Sequence, residues 1–156
     1  MNHKNLPLRT GVGIVVLNSK NYVFVGKRKD NPFDKWQMPQ GGVNSNEPLL
    51  DAMKRELEEE TSIKNIKVLK EFHQWLKYEL PEELIGKIWK GKFRGQKQKW
   101  FIVKFLGEEN EININTEYPE FIEWKWIEMD LLPDLIVNFK KHVYKEVLLE
   151  LKKFTN

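Results

Sequence analysis

Three glutamates fall at i, i+3 and i+4 in the run Arg55-Glu56-Leu57-Glu58-Glu59-Glu60. At 3.6 residues per turn Glu56, Glu59 and Glu60 share one side of a helix, while Glu58 points almost the opposite way. Like charges this close repel by about a few tenths of a kcal/mol per pair, and a divalent cation is the usual offset. Carboxylate oxygens are hard ligands, suited to magnesium or manganese. Arg55, beside the acids, is able to hold one through a charge-assisted bond. Upstream, Trp36 to Gly42 ends in a glycine pair, which lets a backbone come close to phosphate or metal. An acidic run alone is a solvated helix face. Combined with Gly41, Glu47 and Arg55 at fixed offsets, it is a candidate metal site.

The elements that must position these residues follow from the patterning. Ser45 and Asn46 are good N-cap residues and Pro48 suits a first helical turn. Leu49, Met53 and Leu57 form an apolar stripe that would seat the helix on a core. Before it, Gly11–Leu17 and Tyr22–Gly26 read as strands of a hairpin around the turn cluster 18–21. Lys27, Arg28 and Lys29 follow, either a solvated strand end or a phosphate contact. Asn31-Pro32 starts a loop. After the helix, Ile63–Phe72 reads as a strand, Gln74–Leu80 alternates weakly, and Gln96–Leu106 is the clearest strand. Lys97 and Lys99, two apart, share a face of that strand. Residues 81–95 interleave Trp89 and Phe93 with Lys and Arg, which suits a nucleic-acid contact or a mobile surface loop. A short strand is expected at Ile112–Ile114, another at about 120–127, a half-helix within 131–139, and an amphipathic helix from Lys140 to Phe154. Val143, Val147 and Leu151 line its core side, with Tyr144 and Leu148 beside them. Strands, one helix, more strands and a last helix imply an α+β fold, a mixed sheet between helices.

Composition narrows the class. A chain of 156 residues suits one domain with a real core. Apolar content of 40% is ordinary, and six Trp with nine Phe give material for a core or for base stacking. Cysteine is absent, which excludes disulfides and thiolate metal sites and points to a reducing cytoplasm. No run approaches the ~20 apolar residues of a membrane span, and the N-terminus lacks the apolar core of a signal peptide. No membrane partner is expected. Net charge is +3, too mild to decide for or against nucleic acid. His3, His73 and His142 have no ligand-like spacing and receive no chemical role.

The spacing Gly41, Glu47, then Arg55-Glu56-Leu57-Glu58-Glu59-Glu60-Thr61-Ser62-Ile63 resembles the Nudix box of hydrolases that cleave a nucleoside diphosphate linked to another group. The box covers 41–63 and departs once, with Ser62 where the family has Gly. That Gly ends the helix in a left-handed conformation, which Ser adopts at a cost of roughly 1 kcal/mol. A weaker helix end is therefore expected. Further on, QKQKWF at 96–101, PEF at 119–121, WKW at 124–126 and NFKKHVY at 138–144 resemble the bacterial RNA pyrophosphohydrolases, a group also described as dinucleoside polyphosphate hydrolases.

The resemblance implies a Nudix-type α/β/α sandwich spanning 6–154 as one domain. It implies two or more magnesium or manganese ions held by Glu56, Glu59, Glu60 and Glu120, with the Gly41 carbonyl as a backbone ligand. Either Glu56 or Glu120 is the general base, and Arg55 belongs to the catalytic set. The substrate is the 5′-triphosphate end of RNA, cleaved by in-line attack of water, which would promote mRNA decay. Phe139 matches the residue on which the family stacks the first base, with core packing as its other reading. Arg28, Val137 and Lys140 match positions around the second base, while Arg9, Lys97 and Lys99 are plausible phosphate contacts. Hydrolysis of dinucleoside polyphosphates is the runner-up, and a non-catalytic RNA-binding module the distant alternative. Protein partners are not legible.

Overall fold

The computed structural model of the chain describes residues 5–30 and 34–155. His3 and the Asn31-Pro32 loop lie outside the described residues. Among these, eight strands form one mixed sheet. Strands β1 (Leu8–Leu17) and β7 (Gly95–Phe105) run parallel at its centre, in register from Leu8↔Gly95 to Leu17↔Lys104. β2 (Val23–Arg28) continues the sheet antiparallel to β1 through the expected hairpin and pairs outward with β3 (Trp36–Gln37) and β8 (Phe121–Ile127). β4 (Gln40–Gly42) pairs with the start of β1, while β5 (Ile66–Glu71) and β6 (Leu76–Glu79) pair with β7.

Helices cover both faces, so the two central strands must be apolar on both sides. Val12, Ile14, Val16, Phe101 and Val103 face α1 (Leu49–Thr61), where Ala52, Met53 and Leu57 complete one core. Val15, Leu17, Trp100 and Ile102 face the other way, into a core with Val143, Tyr144, Val147 and Leu151 of α3 (Lys141–Thr155) and Leu132 of α2 (Leu132–Leu135). The α+β sandwich expected from the sequence is the observed architecture.

Three local expectations are corrected. The helix is not capped by Ser45 or Asn46. Pro48 is the N-cap, with extended backbone and no side-chain cap bond, and Asn46 sits at φ 63 in the preceding turn. In that turn the Glu47 carboxylate accepts from the Asn44 N–H at 3.0 Å, and the fixed φ of proline suits the entry. Ile112–Ile114 is not a strand. The Asn113 N–H donates to the Thr61 carbonyl at 2.9 Å, so this segment pairs with the end of α1, and Ile112 is buried in the α1-side core. Finally, α1 is well closed at Ser62. Ser62 is left-handed (φ 66, ψ 7), its N–H donates to Glu58 O at 2.8 Å, and its hydroxyl donates to Asn113 O at 2.9 Å. That hydroxyl bond, net about 1 kcal/mol, matches in size the strain of the left-handed residue.

One buried bond ties the α3 core to the segment leading into β4. The Met38 N–H donates to the Tyr144 hydroxyl at 2.7 Å, and the same ring stands edge-on to Trp100 at 5.9 Å. Tyr144→Phe keeps the ring and leaves a buried N–H without its partner, so a loss of about 1–3 kcal/mol is expected in urea denaturation. A variant as stable as the parent would show that the bond carries no weight.

Candidate active site

The site is organised by Arg55. Its guanidinium forks onto Glu47, with Nε to Oε2 at 2.8 Å and Nη2 to Oε1 at 2.9 Å. Nη2 also donates to the Gly42 carbonyl at 2.8 Å, and Nη1 to Glu56 at 2.8 Å and Glu59 at 3.3 Å. One side chain therefore joins the glycine turn, the helix entry and the acidic face. Gly41 is packed so closely against Glu56 that a Cβ there would collide with the carboxylate. A side chain at 41 would push the Glu56 carboxylate out of its bond to Arg55.

Glu56, Glu59 and Glu60 line one wall of an open cleft of about 630 Å³, joined by Glu58 against the expectation that it points away, and Thr116, Glu117, Tyr118 and Glu120 line the other. Glu120, 60 residues from Glu60 in the chain, is brought there because the Lys29 N–H holds its carbonyl at 3.0 Å, at the start of β8. Arg28 lies 3.6 Å from its carboxylate. The helix presents its acids unequally. Glu59 is exposed, the Glu56 side chain is only 14% exposed, and Glu60 is buried with its Oε2 lacking any hydrogen-bond partner. Burial, then the charges of Glu56 and Glu120, push the Glu60 carboxyl well above its ordinary range. Burial also raises Glu56, against the pull of Arg55.

Hard oxygens, a partnerless buried carboxylate oxygen and a glycine cradle on Glu56 together fit a divalent cation, which would favour the ionised acids. Among the described residues no three acidic or histidine side chains are grouped into a ready-made metal cluster. Arg55 instead holds Glu56 and Glu59.

The expected substrate contacts divide into two sets. Arg9, Arg28 and Lys140 lie within the field of the acids, Arg9 feeling Glu56, Arg28 standing by Glu120 and Lys140 feeling Glu60, while Val137 and Phe139 pack on the α3-side core. The Arg9 guanidinium packs on Gly42 and feels the charge of Glu56. Lys140 is buried, its Nζ 5.1 Å from the Tyr78 ring and 5.8 Å from Phe139. Burial and then Arg28 push its ammonium down to about 7. Of the two readings of Phe139, core packing is what the contacts show. It packs on the α3-side core and against Tyr78 at 5.8 Å, and it also lines a second cleft with Leu8, Lys77, Arg94 and His142. Val137 is half-buried on that core.

Lys97 and Lys99 are not part of the acidic cleft. They lie over Trp75 at 5.3 and 5.5 Å, and Lys99 donates to the His73 carbonyl. Their alternates, Gln96 and Gln98, face the site. Tyr78 Oη donates to Gln96 Oε1 at 3.1 Å, and Gln98 Nε2 donates to Gln96 and to Gln40, both at 2.9 Å. This floor was legible only as the partner phase of the lysine alternation.

A model of the family described as NUDIX domain matches residues 7–147. The chain is 60% identical over 155 residues to the RNA pyrophosphohydrolase of Pelagibacter ubique, covering 99% of this chain and 98% of that one. It is 48% identical over 149 residues to the RNA pyrophosphohydrolase of Rhodospirillum rubrum, covering 96% and 90%. Among solved structures it is similar to the E. coli dihydroneopterin triphosphate pyrophosphohydrolase, with a TM-score of 0.71 at 18% identity over 92% of this chain and 99% of that one. A C. elegans Ap4A hydrolase complex gives 0.65 at 21%, covering 93% and 95%.

The Arg55 fork holds the Glu47 carboxyl down at about 2, from an ordinary 4.5. A folded value below the unfolded one means that this contribution is full above pH 4.5 and is lost as pH falls toward about 2. Glu47→Gln should therefore flatten the acid limb of a Tm-against-pH curve across that window. An acid limb of unchanged slope would remove the fork from the stability of the site.

Proposed function

The chain belongs to the Nudix family, and from that membership we propose that it hydrolyses the 5′-triphosphate end of RNA, releasing pyrophosphate and leaving a 5′-monophosphate that promotes mRNA decay. The observation that carries this reading is an acidic cleft bordered by cations, with Arg28 3.6 Å from the Glu120 carboxylate, Arg9 in the field of Glu56, and Lys140 in the field of Glu60 with Phe139 5.8 Å away. Glu56, Glu59, Glu60 and Glu120 suit the metal-bound polyphosphate, and Arg9, Arg28, Phe139 and Lys140 suit the nucleotides that follow it. Residues 6–154 are read as one domain of this kind. A cysteine-free chain suits a cytoplasmic enzyme, and no helix among the described residues is long and apolar enough to cross a membrane.

Nudix hydrolases use divalent metal ions. The chemistry that two or more magnesium or manganese ions supply here when bound is neutralisation of the polyphosphate and a lower pKa for water. Glu56, Glu59, Glu60, Glu120 and the Gly41 carbonyl are the groups that would hold them. Water attacks phosphorus in line, the bridging P–O bond on the far side breaks, and the electron pair leaves with the departing phosphate oxygen. Glu56 or Glu120 takes the proton from water. Glu120 is the more exposed of the two and faces the cleft from the opposite wall, whereas Glu56 is engaged by Arg55. Arg55 orients Glu56 and Glu59 without needing to touch the substrate. Phe139 offers a stacking face and Lys140 a cation that a phosphate would restore to full charge.

Dinucleoside polyphosphate hydrolysis is the second reading. What favours it is Tyr118, 79% exposed on the cleft wall opposite α1, which offers a second aromatic face for a second nucleoside.

The deciding assay presents RNA labelled at its 5′-triphosphate beside diadenosine tetraphosphate at equal concentration, with magnesium. Faster release of labelled pyrophosphate is the expected result, and faster cleavage of the dinucleotide would promote the second reading. Glu59→Gln should lose about a hundredfold or more in turnover at unchanged fold. No turnover of either substrate by the parent protein, with manganese also tried, would leave a binding module.

A further inference from the structure

The segment 81–95 plays no part in the catalytic reading, yet it is neither loose nor random in charge. From Leu84 to Arg94 it reads LIGKIWKGKFR, with four basic residues and no acidic one. Leu84, Ile85, Ile88 and Trp89 pack against the α3-side core, the same cluster that carries Val137 and Phe139. Trp89 stands edge-on to Phe93 at 6.2 Å. Arg94 is spent on structure, bonded to Glu79 at 2.9 Å and to the Leu6 carbonyl.

The backbone is left-handed at three successive residues, Trp89 (φ 51), Lys90 (φ 57) and Gly91 (φ 70). Two of these are not glycine, so packing of the Trp89 ring must offset the strain. The turn holds that ring against the protein while Lys87, Lys90 and Lys92 remain exposed. None of these three lysines has an ion-pair partner among the described residues. The loop also adjoins the site. The Arg9 guanidinium that packs on Gly42 lies over the Trp89 ring at 5.2 Å. A basic edge therefore begins one side chain away from the phosphate end of the cleft.

We propose that this loop is a track for the sugar-phosphate backbone of the RNA downstream of its 5′ end, with Lys87, Lys90 and Lys92 meeting successive phosphates. The inference rests on the RNA reading of the site and extends it from the terminal nucleotides to the body of the substrate. Unpaired lysines on a fixed loop suit such a contact because each phosphate bound releases a counterion, with no base read. Glu82 and Glu83, exposed at the start of the segment, mark where the basic edge ends.

The test is a ratio. Take kcat/KM for a triphosphorylated RNA of about 20 nucleotides over that for a triphosphorylated dinucleotide, in the parent and in the Lys87→Gln/Lys90→Gln/Lys92→Gln variant. The ratio should fall roughly tenfold in the variant, and the slope of log(kcat/KM) against log[salt] for the long RNA should shrink by about two. An equal ratio and an equal slope in both proteins, with RNA still hydrolysed, would overturn the track alone. A parent protein that cleaves neither RNA but does cleave diadenosine tetraphosphate would overturn the RNA reading, and the track with it.

Discussion

The fork of Arg55 on Glu47 is the interaction on which the rest of the site depends. A helix that places Glu56, Glu59 and Glu60 on one side works against itself electrostatically. The guanidinium answers from within the same helix, and it simultaneously fixes the turn that brings Gly41 onto Glu56. Five donors in a rigid plane make this possible, and a lysine ammonium would not span the same set of acceptors. The fork also stands in for a helix cap. With proline at the N-cap and no side-chain cap bond, the entry to α1 is held by charge-assisted bonds from inside the helix.

The sheet supplies the frame. Ten residues of parallel pairing between β1 and β7 set Gln96 and Gln98 beside Arg9 and Gly11, below the glycine turn. The polar floor is buried at Tyr78, Gln96 and Gln98 and half-buried at Gln40, and it is satisfied almost throughout, apart from the Gln96 amide nitrogen. A chain of side-chain bonds in a low-dielectric setting is rigid, and rigidity is what a site aligning phosphates needs.

Much of this was legible from residue order, and the reasons differ by element. The box was readable because its spacing is local, and helical periodicity turns spacing into a shared face. The long strands were readable because burial on both sides leaves continuous apolar runs. Glu120 is legible through resemblance alone, since nothing near Pro119 reveals a contact with a helix so far back in the chain. The failures share one cause. Ser45 and Asn46 have the right chemistry for a cap, but a distant arginine had already organised the turn. Lys97 and Lys99 share a face, as alternation requires, but only the fold says which face meets the site. Ile112–Ile114 has a strand's composition and pairs with the end of a helix instead.

That last pairing has a mechanical meaning. Residues 113–120 form the approach to the wall that carries Glu120, and α1 is the opposite wall. Two bonds, Asn113 N–H to Thr61 O and Ser62 hydroxyl to Asn113 O, strap the walls together at one end. The cleft is thus built like a clothes-peg, with a clasp at the Ser62 corner and jaws formed by the glutamates. A serine at that corner contributes what a glycine cannot, a side-chain rivet, so the two walls are joined by a residue that does not itself line the cleft.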